Sequence, residues 1–269
     1  MTEWYSGDVT ANGIRVHYYR TGGDKPPLVL NHGATDNGLC WTRLARALES
    51  DYDVIMPDAR GHGLSEAVEA GYSSKERAAD LAGLIEALRL DKPAVGGHSM
   101  GAQTTFRLAA DYPNLLRCAV LEDPGFRPAN PRPNEGGRPN PMRQWLEELR
   151  PLGREAIMAR GRQQSPTWDE VEFGPWADAK LQVSPNFLNR PFFQNEPPWQ
   201  ELMPRVTCPV LLVTADPDRG SIVTPETAQE AERINPRVKV VRLSGAGHNI
   251  RREQFDGFLA AVQAFLSET

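Results

Sequence analysis

Short runs of apolar residues, each closing on a turn, punctuate the chain. "GIRVHYYR", "PPLVLNHG", "YDVIMPDARGHG", "PAVGGHS", "LRCAVLEDPG", "CPVLLVTAD" and "VKVVRLSGAGHN" read as strands, most of them apolar enough to be buried on both faces. Between them the spacing changes to that of helices. Trp41, Leu44, Ala45 and Leu48 share one helical face. Ser73 and Glu76 fit a capping box ahead of the stripe Leu81, Leu84, Ile85 and Leu88. "MGAQTTFRLAADY" continues as a helix, Thr224 and Pro225 open another, and Phe255 to Leu266 form a last amphipathic one. Strands alternating with helices predict an α/β fold, a mostly parallel sheet with helices on both faces.

The alternation stops between residues 124 and 205. Pro124, Pro128, Pro131, Pro133, Pro139 and Pro141, with Gly136 and Gly137 among them, exclude regular structure over the first part. Short helical stretches follow and hold Trp145, Trp168, Trp176 and Trp199. The expected organisation is a core of residues 1–123 and 206–269 with a helical cap inserted at 124–205.

Composition narrows the function. A formal charge of −5 leaves no basic footprint, so nucleic acid is not an expected partner. No apolar run is long enough to span a bilayer, and "MTEWYSGDVTANG" lacks the regions of a signal peptide. Scattered Cys40, Cys118 and Cys208 fit a reducing compartment, so the cytoplasm is the expected location. No spacing of ligands suggests a metal, and no cofactor is expected. Oligomeric state is not legible.

The chemistry-bearing stretch is "GGHSMGAQ". Ser99 stands between a strand-like and a helix-like run, with Gly97 and Gly101 two residues to either side. A serine at such a junction sits on a sharp turn, and the helix start behind it offers unpaired N–H groups to an anion. Together with "NHG", "DARGHGLS" and "GAGHN", this stretch makes nearly the whole chain resemble the α/β-hydrolase fold family. The resemblance implies an eight-stranded sheet, a nucleophile elbow at Ser99 and a cap after the sixth strand.

A serine hydroxyl needs a base, and the base an orienting acid. Of five histidines, His248 on the glycine-rich loop after the last strand is the expected base; His17, His32, His62 and His98 are expected to pack or brace turns. The resemblance offers two acids. Asp218, three residues past Ala215, matches the commoner position after strand seven and is slightly preferred. Asp123, at the end of strand six, matches the rarer one. The oxyanion hole is expected from the backbone N–H groups of Ala34 and Met100.

The cap's aromatic content suggests an apolar pocket, with Trp41, Phe126, Trp145 and Trp176 as candidate substrate contacts. The expected activity is a serine hydrolase acting on a hydrophobic small-molecule ester or lactone, aromatic ones included. Two alternatives stay open. One is a carbon–carbon bond hydrolase of a ring-cleavage dienoate, for which Arg127, Arg143 or Arg190 would face the pocket. The other is a ligand receptor on the same fold with slow turnover.

Overall fold

The computed structural model describes residues 4–126, 141–189 and 196–269. Eight strands form one sheet: β1 (Tyr5–Ala11), β2 (Ile14–Arg20), β3 (Pro27–Asn31), β4 (Asp53–Pro57), β5 (Ala94–His98), β6 (Cys118–Glu122), β7 (Val210–Thr214) and β8 (Val238–Arg242). Their order is β1-β2-β4-β3-β5-β6-β7-β8. The β1–β2 and β2–β4 pairs are antiparallel and the rest parallel. Every residue of β4, β5, β6 and β7 is buried, as their continuous apolar runs require.

Helices cover both faces. In the core these are α1 (Thr42–Leu48), α2 (Ser74–Ala87) and α3 (Met100–Asp111). Between β6 and β7 lie α4 (Pro141–Leu149), α5 (Arg154–Gln164), α6 (Glu170–Gln182), α7 (Pro185–Leu188) and α8 (Trp199–Leu202). After β7 come α9 (Pro225–Ile234), α10 (Ile250–Glu253) and α11 (Phe255–Glu268). One apolar cluster joins α2, α3 and α9 to one face of the sheet; a second joins α1 and α11 to the other. The capping box of α2 forms: Glu76 N–H meets Ser73 Oγ, and Ser73 N–H donates to Glu76 Oε2 at 3.0 Å. Such a cap contributes about 0.5–2 kcal/mol.

The strand β1 has no apolar run to announce it, because most of its residues are exposed or half-buried. A two-residue turn holds it to β2, with Asn12 at φ 49° and Gly13 at φ 78°. Among the described residues between β6 and β7 there is helix and no strand. The ends of that segment pack into the main core: Phe126 stacks on Trp199 at 4.9 Å, and Leu202, Met203 and Val206 join the same cluster. Most of the proline-dense stretch, 127–140, lies outside the described residues. No described helix is long and apolar enough to cross a membrane.

The chain leaves β3 toward β4 on one side and returns as β5 on the other. Ligands in open parallel sheets bind at such a reversal, beyond the carboxyl ends of the strands. Ala34 follows β3 and Ser99 follows β5, so both lie there.

Candidate active site

Ser99 joins β5 directly to α3 with φ 51° and ψ −111°, a conformation that side chains rarely adopt. The turn closes tightly. A Cβ on Gly97 would stand 2.3 Å from the carbonyl of Gly101, and one on Gly101 would stand 2.1 Å from the Asn31 carbonyl oxygen. Glycine at both positions is therefore a steric requirement. The Ser99 N–H donates to the Glu122 carbonyl at 2.9 Å, which ties the elbow to β6. Ser99 itself is half-buried.

His248 sits on the loop after β8, with 30% of its side chain exposed. Its Nδ1 donates to Asp123 Oδ2 at 2.6 Å. Its carbonyl accepts from His98 Nε2 at 2.9 Å, beside the elbow. Glu253 braces the loop by accepting from Gly247 N–H at 2.8 Å and Asn249 N–H at 3.3 Å. Gly247 is required here because a Cβ would meet the Arg219 carbonyl at 2.2 Å.

Asp123 is fully buried and has φ 42°, directly after β6. Its carboxylate accepts from Ser221 Oγ at 2.8 Å, Ile222 N–H at 2.9 Å and Val223 N–H at 2.9 Å, besides His248. Of the two candidate acids, the structure pairs Asp123 with His248, and the preferred Asp218 lies elsewhere. Asp218 is exposed on a one-turn 3-10 helix, Pro217–Arg219, while the rest of the loop after β7 folds inward to supply donors to Asp123. Asp216 braces the same region, accepting from Gly245 N–H at 2.7 Å and Arg242 at 2.8 Å.

Met100 opens α3, where its N–H has no carbonyl one turn behind it. The Gly33–Ala34 peptide is fixed from its other end: the Gly33 carbonyl accepts from Asp36 N–H at 3.1 Å and from His32 Nδ1 at 2.8 Å. The Ala34 carbonyl meets His62 Nε2 at 2.9 Å. Burial lowers the pKa of His32 to about 3 and pushes those of His62 and His98 down as well. These imidazoles are neutral braces.

Three of the four aromatic candidates are buried in packed clusters. Trp41 belongs to the core on the α1–α11 face, with the Arg251 guanidinium 4.1 Å from its ring centre. Phe126 is buried between Phe106 and Trp199. Trp176 is buried among the helices between β6 and β7, with Lys180 Nζ 4.7 Å from its ring centre. The physical reason is shared: large rings bury most surface in the interior, and Trp41 and Trp176 also offset the burial of cations. Trp145 differs. It is half-buried and packs against a cluster of Met100, Leu146, Phe187 and Leu188 that Ala34 also adjoins. Arg143 is exposed and paired with Glu147, whereas Arg127 and Arg190 lie outside the described residues. A recess between β4, α2 and α3 reaches Met100 but is not lined by Ser99 or His248. Among the described residues no cluster of side chains could hold a metal ion.

Sequence reasoning did not find the buried ions around Asp36. The residues converge from positions 36, 122, 172, 180, 251 and 252, and no local spacing connects them.

The model of the alpha/beta hydrolase family matches residues 28–261. An N-formylmaleamate deformylase of Pseudomonas putida is 31% identical over 262 residues, covering 97% of this chain and 96% of that protein. A 2-(acetamidomethylene)succinate hydrolase of Mesorhizobium japonicum is 30% identical over 264 residues, covering 92% and 90%. The crystal structure of an N-formylmaleamic acid deformylase variant from Pseudomonas putida S16 superposes with a TM-score of 0.82 at 27% identity, over 96% of this chain and all of that one.

Proposed function

Since the chain belongs to the alpha/beta hydrolase family, we propose that it hydrolyses an acyl bond through a covalent intermediate on Ser99. The observation that carries this reading is the buried Asp123 carboxylate held 2.6 Å from His248 Nδ1, on the sheet edge where the strained Ser99 turn stands.

Ser99 Oγ attacks the substrate carbonyl while His248 Nε2 takes its proton. Asp123 fixes the ring with its proton on Nδ1 and stabilises the imidazolium that forms. The negative oxygen of the tetrahedral intermediate is received by the N–H groups of Ala34 and Met100. The imidazolium then protonates the leaving atom as its bond to the acyl carbon breaks. A water, deprotonated by His248, releases the acyl group as a carboxylic acid and restores Ser99.

The substrate class we favour is a small carboxylate-bearing molecule with an acylated nitrogen. Its support is that two relatives at 31% and 30% identity, both matched over most of their length, carry names of that kind. A hydrophobic ester or lactone is the second reading. It is favoured by the apolar layer of Leu146, Val183, Phe187 and Leu188, with Trp145 beside it, packed over Met100 and Ala34.

Hydrolysis should be measured across N-formyl and N-acetyl amides of unsaturated carboxylates, hydrophobic esters, lactones and a ring-cleavage dienoate, with Ser99→Ala alongside. We expect fast turnover of the N-acyl carboxylates and a loss on the order of 10⁴-fold or more in Ser99→Ala. Turnover of esters or lactones alone would replace the first substrate class by the second. Turnover unchanged by Ser99→Ala would overturn the serine mechanism.

A further inference from the structure

Six charged side chains are buried together between cap and sheet: Asp36, Glu122, Glu172, Lys180, Arg251 and Arg252. Each buried ion costs several kcal/mol in lost hydration, so such a group persists only where its geometry is good. Here it is good. Lys180 Nζ donates to the Thr35 carbonyl at 2.7 Å and to Asp36 Oδ1 at 3.0 Å. Asp36 Oδ2 faces Arg252 at 3.1 Å and Arg251 at 3.4 Å. Arg252 continues to Glu172 at 3.0 Å, and Arg251 holds Glu122 at 3.1 Å through its side chain and at 2.8 Å through its N–H. The rings of Trp176, Trp168 and Trp41 stand 4.7, 4.6 and 4.1 Å from Lys180, Arg252 and Arg251.

Burial opposes the charge on Asp36, but Arg252, Lys180 and Arg251 outweigh it and hold its carboxyl well below the ordinary range. Burial pushes the Lys180 ammonium down, and Asp36 offsets part of that. The hub is therefore anchored on an ionised Asp36.

Its arms end on the reacting groups. Glu122 lends its carbonyl to Ser99 N–H and precedes Asp123. Arg251 lies three residues after His248. Asp36 N–H holds the Gly33 carbonyl, whose peptide carries the Ala34 N–H at its other end. Within this hub only Lys180 and Glu172 come from the cap, and of these two Lys180 touches the Ala34–Asp36 segment.

We infer that Lys180 is a positioning residue for the reaction: from cap helix α6 it pins Thr35 and Asp36, and so keeps the Ala34 N–H aimed at the developing oxyanion. The inference depends on the Ser99 reading above. It makes the cap a support of the transition state as well as a cover for substrate.

The test uses the full chain with Lys180→Met and Lys180→Gln, on the substrate turned over best. It reads kcat, KM, unfolding temperature and affinity for phenylboronic acid, whose boron becomes tetrahedral on a serine oxygen. We expect kcat and boronic-acid affinity to fall together by about tenfold or more, with KM within about threefold of wild type. A folded variant with kcat within about twofold of wild type overturns the proposal. So does a rise in KM alone, which would make Lys180 a substrate contact, or failure of both variants to fold, which would make it an anchor of the fold. Ser99→Ala in the same assay separates the two readings, because activity surviving there would fault the nucleophile and not Lys180.

Discussion

Asp123 shows how much one residue's surroundings decide. Its φ of 42° lies in the left-handed region, where the short polar side chain of aspartate is better tolerated than most. That twist turns the carboxylate away from β6 and toward the loop after β7. Ser221, Ile222 and Val223 then meet it with three donors, and one edge is left for His248. A carboxylate held this way cannot rotate without leaving buried donors unpaired, so it also fixes the imidazole. Asp218 has no comparable enclosure. The two aspartates could be told apart only by where the loop between them folds. The extra "RGS" and the rigid Pro124 in the sequence were the available hints.

At the scale of elements, the strand–turn–helix around Ser99 was legible because its requirements are local. Two glycines, an apolar run before and a helical run after are all contained in a dozen residues. The clash distances give that pattern its physical content. Gly101→Ala would place a methyl group 2.1 Å from the backbone of β3, which cannot yield as a flexible side chain would. Chemical denaturation should show destabilisation at or above the upper end of the usual overpacking range of about 1–3 kcal/mol. Unchanged stability would mean that β3 and α3 do not approach as described. Other elements were harder to see. β1 hid because its exposed residues carry no apolar period, although Asn12-Gly13 was a hairpin signal in plain view. The four-residue α10 is too short to show a period at all.

For the whole molecule, a mostly parallel sheet with helices on both faces followed from alternating strands and helices, and the nucleophile and base candidates from motifs at strand ends. What stayed hidden was everything set by long-range packing. Trp41 and Trp176 looked like pocket walls, yet they lie on buried cations whose positions no local pattern reveals. Burial of neutral histidines is a second global property with a measurable consequence. An unfolded imidazole binds a proton below about pH 6.5, whereas burial holds His32 neutral down to about 3 and also depresses His62 and His98. In that window the unfolded chain takes up more protons, so their contribution is full above pH 6.5 and is lost as the pH falls. Asp36, held low by its three cations, acts in the same direction in acid. Asp58 and Glu122, pushed up by burial, oppose it. Denaturation followed from pH 6 to 5 should show a net loss of at least about 1 kcal/mol. Stability that is flat or rises over that unit of pH would contradict neutral burial of these rings.

The most direct measurement of the Ser99–His248–Asp123 assignment is the rate and position of labelling by a fluorophosphonate, which an activated serine attacks with loss of fluoride. In the wild-type protein and in Asp218→Asn, peptide mass spectrometry should find one adduct, on Ser99, forming at similar rates. In Asp123→Asn the rate should fall on the order of 10⁴-fold, because the ring loses its oriented tautomer. An adduct elsewhere, or labelling that survives Asp123→Asn and fails in Asp218→Asn, would contradict the assignment.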